Sequence, residues 1–145
     1  MLRSMVVAAS LMGALLVAGC ASVPMAAPDA DAAAKAFKTD ASMANVYIYR
    51  NENMGAAVKM PVLLDNMSIG DTVANSYIMR PVTPGKHVVT SKTENDSTLS
   101  LDAKAGTNYF IWQEVKMGAF AARSELHLVD EAKGKAGVLE CKLVQ

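Results

Sequence analysis

Two histidines, two cysteines and one tryptophan are all that 145 residues offer of the side chains that most often hold metals, carry redox chemistry or anchor ligands. His87 and His127 have no cysteine or second histidine at ligand spacing beside them, so no metal motif can be read and no cofactor is expected. There is no Cys-x-x-Cys pair, which removes the usual thiol-disulfide site. Neither sign of charge prevails, with 14 basic against 14 acidic residues and no basic cluster. Without clustered Lys and Arg to neutralise phosphates, nucleic-acid binding is excluded from the expected functions. No serine, cysteine or threonine stands in a strand-turn-helix elbow beside a base, so the expectation is a non-enzyme.

What is present begins at the N-terminus. Arg3 and the initiating amine are followed by twelve mostly apolar residues, Val6 to Val17, and then by Ala18, Gly19 and Cys20. The apolar run is too short for a bilayer crossing, which needs about 20 residues. A charged start, a short apolar core and a small-small-Cys ending read as a bacterial lipoprotein signal, cut before Cys20. The thiol of Cys20 is the nucleophile that takes a diacylglyceryl group. Each buried methylene contributes ~0.8 kcal/mol, so two or three acyl chains give a lasting anchor. Ala21 follows the cysteine where an inner-membrane retention signal would place Asp, which predicts the outer membrane, facing the periplasm.

The expected organisation is therefore a signal peptide over 1–19, a lipidated Cys20 with a flexible Ala/Pro/Asp-rich tether over 20–42, and one domain over 43–145. Pro24 and Pro28 interrupt the tether, and only a frayed helix is expected over Asp29 to Lys38. The domain reads as short strands separated by turns. In Asn45 to Arg50, Val46 and Ile48 share one face while Tyr47 and Tyr49 share the other, so both faces have something to bury. Asp65-Asn66 and Pro84-Gly85 carry turn chemistry, the second that of a type II turn. Leu99, Leu101 and Ala103 alternate with polar residues, as do Leu126 and Leu128 against Arg123, Glu125 and His127. Gly134 and Gly137 read as a loop before a last strand, Val138 to Val144, with Leu139, Cys141 and Leu143 inward. Seven or eight such strands without a helical period predict an all-β fold, a compact antiparallel β-sandwich.

The order of Val46-Tyr47-Ile48-Tyr49-Arg50, the Pro84-Gly85-Lys86-His87 turn, Gly106 with Tyr109 and Phe110, and the block Trp112 to Asp130 resembles a domain of unknown function found in small bacterial lipoproteins. The likeness runs over roughly residues 45 to 144. It implies a β-sandwich envelope protein and brings no catalytic residues with it.

Candidate contact residues are aromatic. Phe110 and Trp112 share a face and Tyr47 and Tyr49 share another. If the strands are neighbours, the rings either seal the domain or, with Arg123 nearby, form a binding surface for a peptide, glycan or protein. Cys141 is expected to be a buried inert thiol, and the methionines, including Met54, Met60 and Met67, to fill the core. The function expected from these readings is a non-enzymatic envelope lipoprotein, held to the membrane through Cys20 and touching an envelope protein or peptidoglycan. The alternative is a periplasmic module for a small apolar, peptide or metal ligand.

Overall fold

A computed structural model of the chain describes residues 19–145. The expected signal peptide falls outside the described residues, apart from Gly19. The elements run α1 (Pro28–Ala34), β1 (Ala44–Arg50), β2 (Met60–Leu64), β3 (Met67–Thr72), β4 (Ser76–Val82), β5 (Gly85–Lys92), β6 (Asp96–Ala103), β7 (Asn108–Met117), β8 (Ala122–Val129), α2 (Glu131–Leu139) and β9 (Lys142–Leu143). The strands form two sheets, β8-β7-β1-β4-β9 and β3-β2-β5-β6, so the fold is the expected all-β sandwich.

Two pairings differ from the antiparallel expectation: β1 lies parallel to β7, and β4 lies parallel to β9. Parallel neighbours need long crossovers. The chain between β1 and β7 supplies one by building the whole second sheet on the way. Pro84 and Gly85 make the change of sheet from β4 to β5, with Gly85 at a φ of 122° that a side chain resists. Asp65 and Asn66, at φ 51° and 65°, close the β2–β3 hairpin in the left-handed conformation their sequence predicts.

The alternation in β1 sorts the core into two. Val46 and Ile48 point between the sheets and pack with Val62, Ile78, Val89 and Ile111. Tyr47 and Tyr49 point the other way, where they join Tyr77, Phe110 and Val138 in a second cluster on the outer face of the five-stranded sheet. Tyr47 lies beside Phe110 and Tyr49 beside Trp112 across the β1–β7 ladder, so the aromatic ridge exists. Tyr47 and Phe110 stack with ring centroids 5.1 Å apart.

Helices seal that ridge, and this corrects two readings of the sequence. The region with Gly134 and Gly137 is not a loop but α2, capped where the Asp130 carboxylate accepts from the Lys133 N–H at 2.9 Å. A Cβ built on Gly134 would stand 2.2 Å from the Phe110 ring, and one on Gly137 would stand 2.2 Å from Tyr49. The glycines let the helix backbone lie directly on the rings. Only Lys142 and Leu143 remain of the expected last strand.

The second correction concerns the tether. Pro28 opens α1 at a position where its missing N–H costs nothing, and Ala34 is buried at the far end. Asp31 accepts from the Tyr77 hydroxyl at 2.8 Å, the Leu143 N–H at 3.1 Å and Lys35 Nζ at 2.9 Å. Burial pulls the Asp31 carboxyl upward, but these donors outweigh it and the net shift is below its ordinary value. Phe37 then packs on Tyr47 and Phe110. Even the strand-like residue before α1 is paired, Met25 bridging Val144. Much of 20–42 thus belongs to the folded body.

Candidate functional site at the Cys20 end of the sandwich

Arg50, the last residue of β1, continues the inward face of Val46 and Ile48 and is completely buried. Among the described residues no carboxylate pairs with its guanidinium. Instead Nη1 donates to the Val58 carbonyl at 2.8 Å, and Nη2 donates to the carbonyls of Gly55 at 2.5 Å and Met54 at 3.3 Å. Burial lowers the Arg50 pKa from its ordinary value, and the charge of Glu52 works against that shift. The side chain therefore acts as a scaffold for the 51–59 loop, which would otherwise leave carbonyls unpaired. The sequence pattern assigns no role to Arg50.

Beside Arg50 the space between the sheets turns polar. The Thr72 hydroxyl donates to Gln113 Oε1 at 2.5 Å, and Gln113 Nε2 donates to Ser91 Oγ at 2.6 Å. Ser91 and Ser124 share a hydrogen bond at 2.7 Å. All four side chains are buried and each has a partner, so the seam holds the two sheets in register. It also shows why Gln113 interrupts the apolar alternation of β7.

Cys20 lies exposed at this same end. The N–H of Ala21 donates to the Ala56 carbonyl at 2.9 Å, which ties the residue after the cysteine to the loop that Arg50 holds. Further along, Ala26 N–H donates to Leu143, and Gln145 N–H donates to Pro24. An exposed thiol next to this attachment can take a covalent group without disturbing the fold.

The expected binding surface of Phe110, Trp112 and Arg123 separates into three environments. Phe110 is sealed beneath Phe37 and α2 and offers no surface. Trp112 is half-buried, its ring stacked on His127 with centroids 5.2 Å apart and Lys133 Nζ 5.0 Å from its centre. Arg123 is exposed further along, paired across from Lys116. Sealing rather than binding is the role of this ridge, apart from the edge of Trp112.

Beyond α2 the outer face of β7 and β8 carries charge. Glu114 and Glu125 stand directly opposite each other, and the ligand atoms of Glu114, Glu125 and His127 fall within 4.8 Å, close enough to hold a cation. That position is served by the chain itself. Lys116 Nζ pairs with Glu125 and lies 3.7 Å from Glu114, while His127 Nε2 is 2.7 Å from Glu114. Two opposed carboxylates would repel, and the lysine and the imidazole resolve it.

Comparison with known proteins places these features in a family. The model for "Protein of unknown function (DUF2846)" matches residues 40–125, from before β1 into β8. The chain belongs to the DUF2846 family. An uncharacterised protein of Haemophilus influenzae is 33% identical over 133 residues, covering 90% of this chain and 79% of the relative. No solved structure matches.

Within this DUF2846 chain the matched segment contains Arg50, its loop and the whole polar seam. The remaining reactive groups are spoken for. His87 ties the β2–β3 turn to the segment before β5, Nδ1 at 2.6 Å from Asp65 and Nε2 at 2.6 Å from the Thr83 carbonyl. Cys141 is buried, its thiol donating to the Arg50 carbonyl at 3.6 Å and its pKa pushed up to about 12 by burial. The methionines divide. Met60 is in the core as expected, but Met54, Met67 and Met117 are 50%, 73% and 82% exposed. Among the described residues no helix is long and apolar enough to cross a membrane.

Proposed function

We propose that this protein is a lipid-anchored component of the bacterial envelope whose sandwich serves as a non-enzymatic contact module at the periplasmic face of the outer membrane. The observation that carries the reading is Cys20: an exposed thiol, preceded in sequence by an apolar run and two small residues, at the point where the folded body starts. The groups that would do chemistry are committed elsewhere, His87 to Asp65, His127 to Glu114, and Cys141 to a buried site. That arrangement supports a contact role, toward another envelope protein or peptidoglycan, over catalysis. Fractionation of cells carrying Cys20→Ser tests the anchor: the account expects the variant in the soluble fraction and the wild-type chain with outer membrane. Crosslinking of the wild-type chain in cells tests the contact role, with a specific envelope protein or cell-wall adduct expected and none contradicting it.

A second reading, a ligand-binding module, has the Glu114–Glu125–His127 cluster in its favour. Binding of Zn²⁺ would have to displace Lys116 from two carboxylates, so calorimetry on the wild-type chain and on Lys116→Met decides it. Heat in the variant alone marks an ion-pair ladder, and heat in both marks a metal site.

A further inference from the structure

The β7–β8 hairpin turns through Met117-Gly118-Ala119-Phe120-Ala121-Ala122, six residues without a polar side chain, between Lys116 and Arg123. Hairpin tips in water are ordinarily built from polar turn residues, and an exposed apolar run of this length calls for a function. Phe120 is 98% exposed, more than any other large apolar residue described here. The tip is also tightly made. A Cβ on Gly118 would meet the Ala121 carbonyl at 2.0 Å, so the turn fits only glycine there and presents Phe120 outward in a compact form.

Its position relative to Cys20 identifies the occupant. Ala21 is hydrogen-bonded to Ala56. Neighbouring Gly55 in turn lies against Val115 and Ala122 at the base of the hairpin. Cysteine, loop and hairpin therefore share one end of the sandwich, with exposed Met54 on the loop between them. Acyl chains on Cys20 would hold this end at the headgroups with almost no spacer. We propose that this end is a bilayer-contact face, in which the Met117–Ala122 tip seats Phe120 among phospholipid headgroups and upper acyl chains. The proposal rests on the lipid-anchor reading of Cys20.

The chemistry of the rim fits a phospholipid surface. Arg123 is exposed with its stem against Gly118 and can follow the tip down while its charge stays at the phosphates; Lys116, exposed beside it, is held by Glu125. The carboxylates nearby are partly spent: Glu52 accepts from the Val115 N–H, and Glu125 pairs with Lys116. Glu94 stands beside Gly118, so the contact is driven by the apolar tip more than by net charge. The turns at the opposite end offer a single exposed large apolar side chain, Met67, among the polar residues Asp65, Asn66 and Lys104, and no apolar run.

The test uses the full lipidated chain in vesicles of phosphatidylethanolamine and phosphatidylglycerol with brominated acyl chains. In a Trp112→Phe background, Phe120→Trp places a fluorophore at the tip and Lys104→Trp places one at the far end, while palmitate labelling of the same preparations reads the anchor separately. The expected result is palmitate incorporation, a blue shift and about twofold quenching of the F120W indole, and no quenching of the K104W indole. Incorporated palmitate with an unquenched F120W indole overturns the contact face and leaves the anchor standing. Absent palmitate with an unquenched F120W indole overturns both. Absent palmitate with quenching on added vesicles keeps the face and discards the anchor. A blue shift without quenching, accompanied by a protein crosslink at the tip, overturns it in favour of a protein partner. As a second variant, Phe120→Asp in the full lipidated chain leaves palmitate incorporation and Tm unchanged and lowers crosslinking of the tip to a photoactivatable phospholipid about fivefold, and unchanged crosslinking counts against the proposal.

Discussion

The Cα of Gly137 lies so close to Tyr49 that a methyl group added there would stand 2.2 Å from Cε2 and 2.6 Å from Cζ of the ring. This one contact sets how near α2 can approach the five-stranded sheet. Alanine is the better helix former by about 1 kcal/mol, so on propensity alone Gly137→Ala would stabilise. Because the ring is buried and cannot retreat, the substitution instead destabilises by about 1–3 kcal/mol, the range for overpacking a filled core. Ala136, exposed on the same helix, is the control: Ala136→Gly costs about 1 kcal/mol by propensity alone. Urea melts of the two variants separate the effects.

His87 has an acceptor at each ring nitrogen, the Asp65 carboxylate and the Thr83 carbonyl, and only the imidazolium can donate to both. The hydrogen bond that His87 donates to the Asp65 carboxylate raises its pKa first, with that to the Thr83 carbonyl adding to it. Asp65 is lowered by the same bond and by the Val88 N–H. A raised histidine pKa stabilises fully below its unfolded value of about 6.5, and the gain is lost as pH rises through the folded value. For Asp65 the sign reverses, and its contribution is lost as pH falls below about 4. Melting temperature in the wild-type chain therefore peaks between these limits and declines as pH rises above about 6.5, and His87→Gln flattens the alkaline arm. An unchanged slope in the variant contradicts the assignment.

Arg50 supplies donors to carbonyls on three separate residues of one loop. Arg50→Met keeps the apolar stem but strands those acceptors, at a cost of about 2–4 kcal/mol. Arg50→Lys does not rescue it, since one ammonium cannot reach carbonyls spread across the fork of a guanidinium. Hydrogen exchange checks the mechanism: amides of the 51–59 loop gain exchange in both variants before the sandwich strands do.

Burial of Cys141 and its pKa of about 12 leave little thiolate at neutral pH. In the folded, unlipidated chain an aromatic disulfide reagent reacts with Cys20 and leaves Cys141 untouched. The protection factor relative to the denatured chain is roughly a thousandfold from thiolate content alone. Equal rates at both sulfurs would place Cys141 outside the core.

Much of this fold is legible in residue alternation. Both faces of β1, the inward face of β6 and the Asp65-Asn66 turn follow from period and turn chemistry, while Pro84-Gly85 reverses the chain as a bend, with Gly85 at φ 122°, and not as the expected type II turn. Where the reading departs, a tertiary contact outweighs local preference. Gly134 and Gly137 argue against a helix until the rings of Phe110 and Tyr49 beneath them are known. The Pro/Ala/Asp run of α1 reads as loose chain because its docking partners, Tyr77 and Leu143, are far away in sequence. Leu128 follows the inward alternation yet is 52% exposed, since the end of an edge strand has little left to cover it. Of the candidate surface, the shared face of Phe110 and Trp112 is readable, but which of them reaches solvent depends on where α2 lands. Arg50 gives no sequence signal, because its partners are carbonyls, which every residue has.

The intact mass of the protein extracted from membranes tests the central claim most directly. The account predicts a chain beginning at Cys20, carrying a diacylglyceryl thioether and shifted to full-length precursor when the lipoprotein signal peptidase is inhibited. A chain with an unmodified Cys20 thiol that alkylates freely, unaffected by that inhibition, would contradict it.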